Sequence, residues 1–322
     1  MRAISIPGPG GPEQLIVEER DDPVVTPGTL LVEVAAAGVN YVDIYHREGV
    51  YAMEYPITPG LEGAGTVIET APGVEGFASG DRVSWTNVMG SYSSRHLIPL
   101  EQAIPVPDGV DLDIAAALLL QGITAHYLAT DTFPLAEGSV CLIHAGAGGV
   151  GLLLTQIAKM IGAEVITTVS SEDKAELSRD AGSDLAILYT RDDFQGEIES
   201  IYGPHSLDVV YDGVGAATFM KSLDLLRPRG TMVSFGNASG VVPEISPLML
   251  ASKGSLFLTR PSMAHYIGTR DELLARADDL FRWVQEGLLE VRVDTKYDLA
   301  EAATAHRALA GRRTSGKLLL AP

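Results

Sequence analysis

Four glycines separate an apolar run from an amphipathic run in the segment CLIHAGAGGVGLLLTQIAKM, residues 141–160. Gly146, Gly148 and Gly151 have the spacing G-x-G-x-x-G, with a predicted strand before them and a predicted helix after them. In that context the first glycine permits a tight turn, the second lets the backbone approach a pyrophosphate, and the third lets helix and strand pack closely. The helix N-terminus adds free N–H groups and a partial positive charge for phosphates. Because a purely structural turn has the same glycines, the surrounding elements must decide between the two interpretations.

Apolar strands alternate with helical segments on both sides of this turn. The predicted strands are Val140 to His144, Glu164 to Val169, Leu185 to Leu188, Leu207 to Tyr211, Thr231 to Phe235 and Leu256 to Thr259, and the predicted helices span 149–161, 172–181 and 216–227. The strands are apolar throughout instead of at every second residue, which indicates a parallel sheet covered on both faces. This alternation favours dinucleotide binding over a structural turn.

The end of the next strand bears on which dinucleotide binds. An NAD-binding protein places a carboxylate there on the adenosine ribose, whereas this chain has Ser170 and Ser171. Lys174 is positioned to pair with a 2′-phosphate, although it also fits an ordinary exposed lysine on a helix. Glu172 and Asp173 oppose a phosphate, but at the start of a helix they also serve its dipole. The pattern favours NADP.

The flanking regions have a different character. The first 120 or so residues are predicted to be β-rich, with short strands such as Leu30 to Ala35, Gly65 to Ile68 and Arg82 to Trp85. The segment DLDIAAALLLQG, from Asp111, predicts a helix that Gly122 ends. Near the C-terminus, Thr269 and Glu272 have capping-box spacing before a helix that Gly287 follows. The final apolar run at 318–320 needs a sheet to join.

Composition excludes several classes of protein. A single cysteine, Cys141, rules out an intrachain disulfide and a structural zinc site built on thiolates. The net charge of -19 disfavours nucleic acid and anionic membranes as partners, so an anionic ligand must meet a locally basic pocket. The sequence shows neither a run of roughly 18 consecutive apolar residues nor the apolar core of a signal peptide. We therefore expect a soluble cytoplasmic protein.

Taken together, the order of segments resembles a known family. The resemblance rests on GVNYVDIYHREGVY, PGLEGAGTV, GDRV, YSSRHLI, LLLQGITAHYL, HAGAGGVGLLLTQIAK, DVVYDGVG, SFGNASG, LFLTRPS and SGKLLLAP. These segments look like the zinc-independent quinone oxidoreductases of the medium-chain dehydrogenase/reductase superfamily, the branch that includes zeta-crystallin. The resemblance implies an α/β protein in which a GroES-like β-rich catalytic domain, residues 1–122 and 263–322, is joined to a Rossmann doubly wound parallel-sheet domain, residues 123–262, with cofactor and substrate in a cleft between them.

The resemblance also bears on metal binding. Zinc-dependent relatives have a cysteine where this chain has Asn40 and a histidine where it has Leu61, and neither residue replaces those ligands. Glu62 remains, but one carboxylate cannot hold a catalytic zinc ion. We therefore expect no metal. The chemistry that remains is hydride transfer from a reduced nicotinamide to an acceptor that is electrophilic without a Lewis acid.

Further site residues follow from the resemblance. Asn40, Tyr45 and Tyr51 are expected on the substrate side, where a phenol can donate a hydrogen bond to a quinone oxygen; each tyrosine also fits a packed aromatic. The expected cofactor contacts are Asn40, Thr124, Gly146, Gly148, Gly149, Val150, Ser170, Lys174, Tyr189, Phe235, Gly236, Asn237 and Arg312. Arg313 and Lys317 are alternatives to Arg312 at the 2′-phosphate, and surface solvation is the ordinary explanation of this basic cluster. His46 replaces an apolar residue of relatives and leaves the acceptor's identity open, while neither His46 nor His144 is assigned a catalytic role.

Three functions are consistent with these observations. The first is an NADPH-dependent quinone reductase, and the second is an NADPH-dependent reductase of enones, 2-alkenals or enoyl groups. The third is an NADPH-binding structural or RNA-binding protein like some crystallins, which the acidity of the chain opposes. An edge strand near Leu256 predicts a homodimer, because open sheet edges pair with other chains and the family is dimeric.

Overall fold

The computed structural model describes all 322 residues, which form two compact units. The first unit contains Met1–Ile123 and Ile267–Pro322, and the second contains Thr124–Tyr266. The two expected domain boundaries lie within a few residues of these divisions. Each unit has its own sheet, one mainly antiparallel and one parallel, so the expected α/β class with a β-rich domain and a Rossmann domain is confirmed.

The first unit contains nine strands and three complete helices. Its strands are β1 (Arg2–Ser5), β2 (Ile16–Glu19), β3 (Thr29–Val39), β4 (Glu62–Thr70), β5 (Arg82–Thr86), β6 (Arg95–Pro99), β7 (Ile104–Pro105), β14 (Val293–Asp298) and β15 (Lys317–Ala321). Its helices are α1 (Tyr41–Glu48), α8 (Arg270–Gln285) and α9 (Ala302–Ala310), with the first part of α2 (Leu112–Tyr127). Seven strands form a sheet in the order β14-β15-β3-β4-β5-β7, with β6 also pairing with β3, while β1 and β2 pair separately. The final apolar run joins this sheet, since β15 pairs antiparallel with β3, Leu318 opposite Val39.

The second unit contains six strands and five helices of its own. Its strands are β8 (Val140–His144), β9 (Glu164–Val169), β10 (Leu185–Leu188), β11 (Leu207–Asp212), β12 (Leu226–Ser234) and β13 (Phe257–Thr259). Its helices are α3 (Gly149–Ile161), α4 (Glu172–Asp180), α5 (Phe194–Tyr202), α6 (Phe219–Leu225) and α7 (Pro247–Ser252). The strands form a parallel sheet in the order β10-β9-β8-β11-β12-β13. A buried cluster that includes Leu142, Ile166, Val210 and Met232 packs on this sheet, as expected for strands that are apolar throughout.

One local prediction is wrong, and four helices, α1, α5, α7 and α9, have no counterpart in the sequence-based prediction. Helix α2 does not end at Gly122 but continues to Tyr127. A Cβ at Gly122 would lie 3.0 Å from a Leu280 methyl carbon, so this glycine marks close packing against α8 instead of a helix end. Helix α1 has no counterpart in the sequence-based prediction, because its eight residues give too short a periodic pattern. The capping box of α8 is confirmed, since the Thr269 N–H donates to Glu272 and the Glu272 N–H donates to the Thr269 hydroxyl.

One helical segment, Leu112–Thr132, is long and apolar enough to cross a membrane by length and composition alone. Within the protein, 72% of its most apolar window is buried. A buried core helix passes the same test, so this segment is weak support for a membrane span.

Candidate active site

The glycine turn joins β8 to α3 with very little space around it. A Cβ at Gly146 would lie 2.5 Å from the Cβ of Thr167 on β9, and a Cβ at Gly151 would lie 2.9 Å from the Gly146 backbone. Both neighbours are fixed parts of the fold, so larger residues do not fit at either position. The structure therefore gives the first and third glycines the packing roles that the motif predicts.

Helix α3 begins without a side-chain cap. Its N-cap is Gly148, in an extended backbone conformation, and its first turn contains no acidic residue. The N–H groups of an uncapped first turn have no acceptor within the helix, and the helix dipole places partial positive charge there. Gly148, Gly149 and Val150 thus form a backbone surface that suits a pyrophosphate.

Ser170 and Tyr189 follow the carboxyl ends of the adjacent parallel strands β9 and β10. The Tyr189 N–H donates to the Val169 carbonyl at 3.1 Å, and the Thr190 hydroxyl donates to the Ser170 carbonyl at 3.0 Å. Tyr189 leaves 40% of its surface exposed. The structure thus brings together the two residues expected at the adenosine end, with Lys174 on the first turn of α4.

The two acidic residues in the first turn of α4, Glu172 and Asp173, differ in their contacts. Glu172 forms an ion pair with Arg179 on the same helix, at 2.9 Å between Oε1 and Nη2, and Asp173 is exposed. Because both lie in the first turn of α4, they are favourably placed for its dipole. The pairing of Glu172 reduces the objection that its carboxylate raised against a phosphate beside Ser170.

A buried carboxylate shapes the loop after β11. Asp212 accepts hydrogen bonds from the N–H groups of Val214 and Gly215, at 2.7 and 2.9 Å, and from the Thr218 hydroxyl at 2.8 Å. Its backbone carbonyl accepts the Phe235 N–H at 2.8 Å. Asp212 therefore fixes the start of the segment 235–237, which is expected beside the nicotinamide.

The remaining residues expected to contact the cofactor are distributed over the two units. Thr124 lies on α2 and is almost completely buried in the second unit. Arg312 and Arg313 are exposed in the turn after α9, in the first unit, and Arg312 has a left-handed backbone conformation. Lys317 is 1% exposed and contacts a buried carboxylate, which argues against the phosphate role considered for it. Arg312 and Arg313 remain the candidates in this turn.

Three elements of the first sheet bring Asn40, Glu62 and Lys317 together. Asn40 follows β3, Glu62 begins β4 and Lys317 begins β15, and both of those strands pair antiparallel with β3. A Cβ at Gly38 would collide with the Glu62 carboxylate, so glycine is required there for this carboxylate to cross β3. All three polar side chains are buried, with exposures of 4%, 0% and 1%.

The contacts within this group define the orientation of the Asn40 amide. Lys317 Nζ donates to Asn40 Oδ1 at 2.7 Å and also contacts Glu62 Oε1. Asn40 Nδ2 donates to Glu62 Oε1 at 2.7 Å, and the Leu120 N–H donates to Glu62 Oε2 at 2.7 Å. Gln121 Nε2 lies 3.4 Å from Asn40 Oδ1. An ammonium can only donate and a carboxylate can only accept, so this arrangement admits one orientation of the amide.

The group does not have the composition of a metal centre. No cluster of three or more His, Cys, Asp or Glu side chains in the protein has a geometry that could hold a metal ion. Beside Glu62, the Lys317 ammonium already supplies the positive charge that a buried carboxylate requires.

A second buried chain of hydrogen bonds leads to the backbone of Asn40. Arg47 Nη1 donates to His306 Nδ1 at 3.0 Å, and the Tyr92 hydroxyl donates to Asp43 Oδ2 at 3.0 Å. His306 Nε2 must then carry the proton that it shares with the Tyr92 oxygen, at 3.2 Å. Asp43 Oδ2 also accepts the Asn40 N–H at 2.8 Å. The chain thus anchors the start of α1.

Burial shifts the pKa values of Asp43 and His306, two members of this hydrogen-bonded series. Desolvation raises the pKa of Asp43 to about 7 despite its hydrogen bonds to Asn40 and Tyr92. Its second oxygen, Oδ1, is buried without a hydrogen-bond partner. Desolvation also lowers the pKa of His306 to about 3, and the nearby Arg47 acts in the same direction. His306 is therefore neutral, with its proton on Nε2.

The two expected substrate-side tyrosines form an aromatic group with His46. The rings of Tyr45 and Tyr51 meet edge to face at 5.7 Å, and the rings of His46 and Tyr51 lie 5.9 Å apart. Tyr51 is 38% exposed, whereas His46 is buried with an unpartnered Nδ1 and a pKa lowered by desolvation. The structure brings the three residues together, and Tyr51 has the most accessible ring.

His144 has a structural environment. The Ser222 hydroxyl donates to the Thr218 carbonyl at 2.9 Å, so it accepts from His144 Nε2 at 2.8 Å. His144 Nδ1 then accepts from the Thr168 hydroxyl at 2.8 Å. Burial lowers the pKa of this histidine. The neutral ring connects β8, β9 and α6, which agrees with its having no catalytic assignment.

Comparison with known proteins identifies the family. Residues 26–130 match the family described as alcohol dehydrogenase GroES-like domain, and residues 149–281 match the family described as zinc-binding dehydrogenase. A quinone oxidoreductase of Pseudomonas aeruginosa is 42% identical over 317 residues, which are 97% of each chain. The chain belongs to the quinone oxidoreductases of the medium-chain dehydrogenase/reductase superfamily.

Two further relatives extend the comparison. The crystal structure of Escherichia coli quinone oxidoreductase complexed with NADPH superposes with a TM-score of 0.98, at 39% identity and complete coverage of both chains. A 2-haloacrylate reductase from a Burkholderia species is 41% identical over 321 residues, covering 97% of this chain and 96% of the relative. Relatives that are about equally similar to this chain are thus named as quinone oxidoreductases and as a reductase of 2-haloacrylate, an unsaturated carboxylic acid.

Proposed function

We propose that this protein is an NADPH-dependent quinone reductase that transfers hydride from the nicotinamide to a quinone without zinc. The observation that carries the proposal is full-length similarity to quinone oxidoreductases, together with a buried polar centre at Asn40 in which a lysine ammonium accompanies the carboxylate. Reduction of a quinone to a hydroquinone takes one hydride and one proton.

The residues of the second unit fit a dinucleotide. The glycine turn leaves no room for side chains at Gly146 and Gly151, and the uncapped start of α3 offers N–H groups at Gly149 and Val150. Phe235, Gly236 and Asn237 are assigned to the nicotinamide side, Thr124 to a further cofactor contact, and Tyr189 to the adenosine side. Bound NADPH supplies the hydride.

The preference for NADPH is assigned to three residues. Ser170 places no carboxylate at the end of β9, and Lys174 lies on the adjoining first turn of α4. On the family resemblance, Arg312 is assigned to the same phosphate. A cationic residue near this end matters more in a chain of net charge -19.

Asn40, Tyr45 and Tyr51 are assigned to the acceptor. Asn40 has one Nδ2 proton that is not directed at Glu62, so it can donate to an oxygen that gains negative charge during hydride transfer. A tyrosine hydroxyl can donate a hydrogen bond to the same group or supply the proton. The chain's own donors would thus perform the stabilisation that a Lewis acid performs in zinc enzymes.

The test compares cofactors and acceptors on one preparation. We expect oxidation of NADPH by 1,4-benzoquinone and naphthoquinones to exceed that of NADH by at least tenfold in kcat/KM. Activity should survive dialysis against a strong chelator, with less than about 0.1 mole of transition metal per chain by elemental analysis. NADPH binding without reduction of any acceptor in a broad panel would overturn the proposal.

A second candidate activity has a specific observation in its favour. The 2-haloacrylate reductase similarity supports reduction of a conjugated carbonyl, with hydride added at the β-carbon. Running 2-alkenals and 2-haloacrylates beside the quinones at equal concentration separates the two activities. A higher kcat/KM for these substrates would make the protein an enone reductase.

We also propose a cytoplasmic homodimer that pairs through the edge strand β13. Phe257 and Leu258 are 61% and 38% exposed on this strand, and Leu248 on α7 is 78% exposed. Exposed apolar edges of this kind pair with another chain. Light scattering should give twice the chain mass of 34.1 kDa, and Phe257→Lys should lower it to one chain mass. Val24→Lys, at an exposed position in the first unit, is the control.

A further inference from the structure

Lys317 is a charged residue buried in the first sheet, and its burial requires an explanation. Its backbone starts β15, and the whole residue is 1% exposed beside Glu62, which is 0% exposed. Removing two charges from water is costly, and a well-packed apolar pair is often at least as stable as a buried ion pair. Stability alone therefore does not account for a lysine and a glutamate at this place in the sheet.

The ion pair has a geometric consequence for Asn40. If the Asn40 amide rotated by 180°, its NH₂ group would face the Lys317 ammonium and its oxygen would face the Glu62 carboxylate. Both contacts would then be repulsive, whereas both are hydrogen bonds in the observed orientation. Neutral side chains in place of Lys317 and Glu62 would not impose one orientation on the Asn40 amide.

We propose that Lys317 and Glu62 are positioning residues of the reductase, which hold the Asn40 amide with its second Nδ2 proton available to the acceptor. This inference rests on the proposed function, in which Asn40 donates to the acceptor oxygen. Lys317 contacts Asn40 through Oδ1 and therefore acts through it. The backbone of Asn40 is held separately, by its N–H bond to Asp43.

The observed contacts account for one of the two Nδ2 protons. Glu62 Oε1 accepts one of them at 2.7 Å, and Lys317 with Gln121 supplies donors to Oδ1. The Lys317 ammonium also polarises the amide in the direction that makes its N–H a better donor, because it withdraws electron density from the carbonyl oxygen. The Lys317 contact thus both orients the Asn40 amide and strengthens its N–H as a donor.

The key variant is Lys317→Met with Glu62→Gln. This double variant removes both charges together, so no uncompensated charge stays buried as it would in Lys317→Met alone. The neutral amide that Glu62→Gln introduces can donate or accept, so it accommodates either orientation of Asn40. Lys317→Arg retains the cation, and Lys296→Met removes an exposed lysine on the neighbouring strand β14, where it pairs with Asp113.

Activity provides the first readout. We expect the double variant to lose at least tenfold in quinone kcat while its NADPH Kd stays within twofold of the wild type. Lys317→Arg should recover part of that loss, and Lys296→Met should remain within twofold. When Asn40→Ala is combined with the double variant, the further loss should be less than twofold. An independent tenfold loss in that background would overturn the inference.

A spectroscopic readout works even without turnover. The chain has only three asparagines, Asn40, Asn87 and Asn237, so selective ¹⁵N-asparagine labelling gives three side-chain amide pairs. Asn40→Ala assigns the pair of interest. In the wild type we expect a wide separation of its two proton shifts, since one proton faces a carboxylate, and slow exchange with solvent. In the double variant this separation should narrow to that of an ordinary amide.

The outcomes separate this inference from the proposed function. An inactive wild type with the expected amide spectrum would reject the quinone reductase and retain the fixed orientation of Asn40. An active wild type whose double variant keeps full kcat and an unchanged Asn40 spectrum would reject the positioning role and retain the reductase. Thermal unfolding of each variant confirms that the compared proteins are folded.

Discussion

The Glu172 carboxylate is joined to the Arg179 guanidinium across two turns of α4, at 2.9 Å. The turn that precedes this helix contains Ser170, whose carbonyl accepts from Thr190. The ion pair occupies the acidic side chain that would most obviously oppose a 2′-phosphate. The Glu172 carboxylate is thus paired with a cation of its own helix, although both side chains remain exposed to solvent.

Ser170→Asp should reverse the cofactor preference. A carboxylate at the end of β9 repels a 2′-phosphate and accepts a hydrogen bond from the ribose hydroxyl of NADH. We expect the NADPH Kd to rise at least tenfold and the NADH Kd to fall or stay constant, as measured by titration of cofactor fluorescence. Ser200→Asp adds the same charge at an exposed position on α5 and should change neither value by more than twofold. Equal weakening of both cofactors would contradict the assignment of Ser170.

Gly151→Ala should destabilise the fold and weaken cofactor binding. A Cβ at this position meets the Ala145 carbonyl and the Gly146 backbone, and a backbone cannot move aside as a flexible side chain can. We expect destabilisation of about 2 kcal/mol or more and a loss of NADPH affinity of at least tenfold, measured by denaturant unfolding and cofactor titration.

The matched substitution is Gly196→Ala on α5. Its Cβ would lie 3.5 Å from the Asp193 carboxylate, an ordinary contact, inside a helix that alanine favours. This variant should be stabilised by roughly 0.5 to 1 kcal/mol and should bind NADPH normally. Normal binding by Gly151→Ala as well would show that the turn has more room than the fold implies.

Strong local patterns made the parallel sheet predictable. The strands at Val140, Glu164 and Leu185 have the bounds that the sequence predicts, because each is a continuous apolar run between polar turns. Helix α1 was missed, since a helix of eight residues depends on long-range contacts: its start is anchored by Tyr92 and Asp43, which are 49 residues apart. Gly122 was misinterpreted because a packing glycine and a terminating glycine look alike in a sequence.

The candidate site was predictable in part. The glycine turn, Ser170 and Tyr189 follow from strand ends, which a sequence locates well. Lys317 was considered for the phosphate because a sequence shows three cations together in AGRRTSGK but not which of them enters the core. Lys317 starts β15, and the adjoining β3 ends at Val39 before Asn40. That register, which only the fold supplies, brings the lysine to a partner 277 positions away in the chain.

Tyr51→Phe and Tyr45→Phe should distinguish a functional hydroxyl from a packed ring. Phenylalanine retains the edge-to-face contact between the two rings, so stability should change little. We expect at least one variant to lose tenfold or more in kcat/KM for quinones, as for loss of a proton donor, while NADPH affinity is retained. Tyr41→Phe is the control. Tyr41 lies on α1 with Tyr45, and its hydroxyl donates to the Leu309 carbonyl and is not assigned to the acceptor. Full activity in both variants would leave Asn40 as the acceptor's donor.

His306→Gln should change how stability depends on pH. The pKa of His306 is near 6.5 when the chain is unfolded and about 3 in the fold. Between these values the unfolded state binds one more proton at this residue, so the contribution of His306 to the free energy of unfolding falls by about 1.4 kcal/mol per pH unit as the pH falls below 6.5. Asp43 acts in the opposite direction: its pKa is raised to about 7, so its contribution is fully present below its unfolded value and is lost as the pH rises through 7.

A difference profile removes the contributions of groups that titrate in the same way in both proteins. The unfolding free energy of the wild type minus that of His306→Gln should be constant above pH 6.5 and should fall steadily from pH 6.5 to pH 4, measured by urea unfolding at half-unit intervals. His205→Gln, at an exposed histidine in the second unit, is the matched control. A flat profile for His306→Gln would mean that His306 is protonated in the fold. His306 Nδ1 would then also carry a proton and could not accept from Arg47, so the Arg47–His306 hydrogen bond would have to be withdrawn.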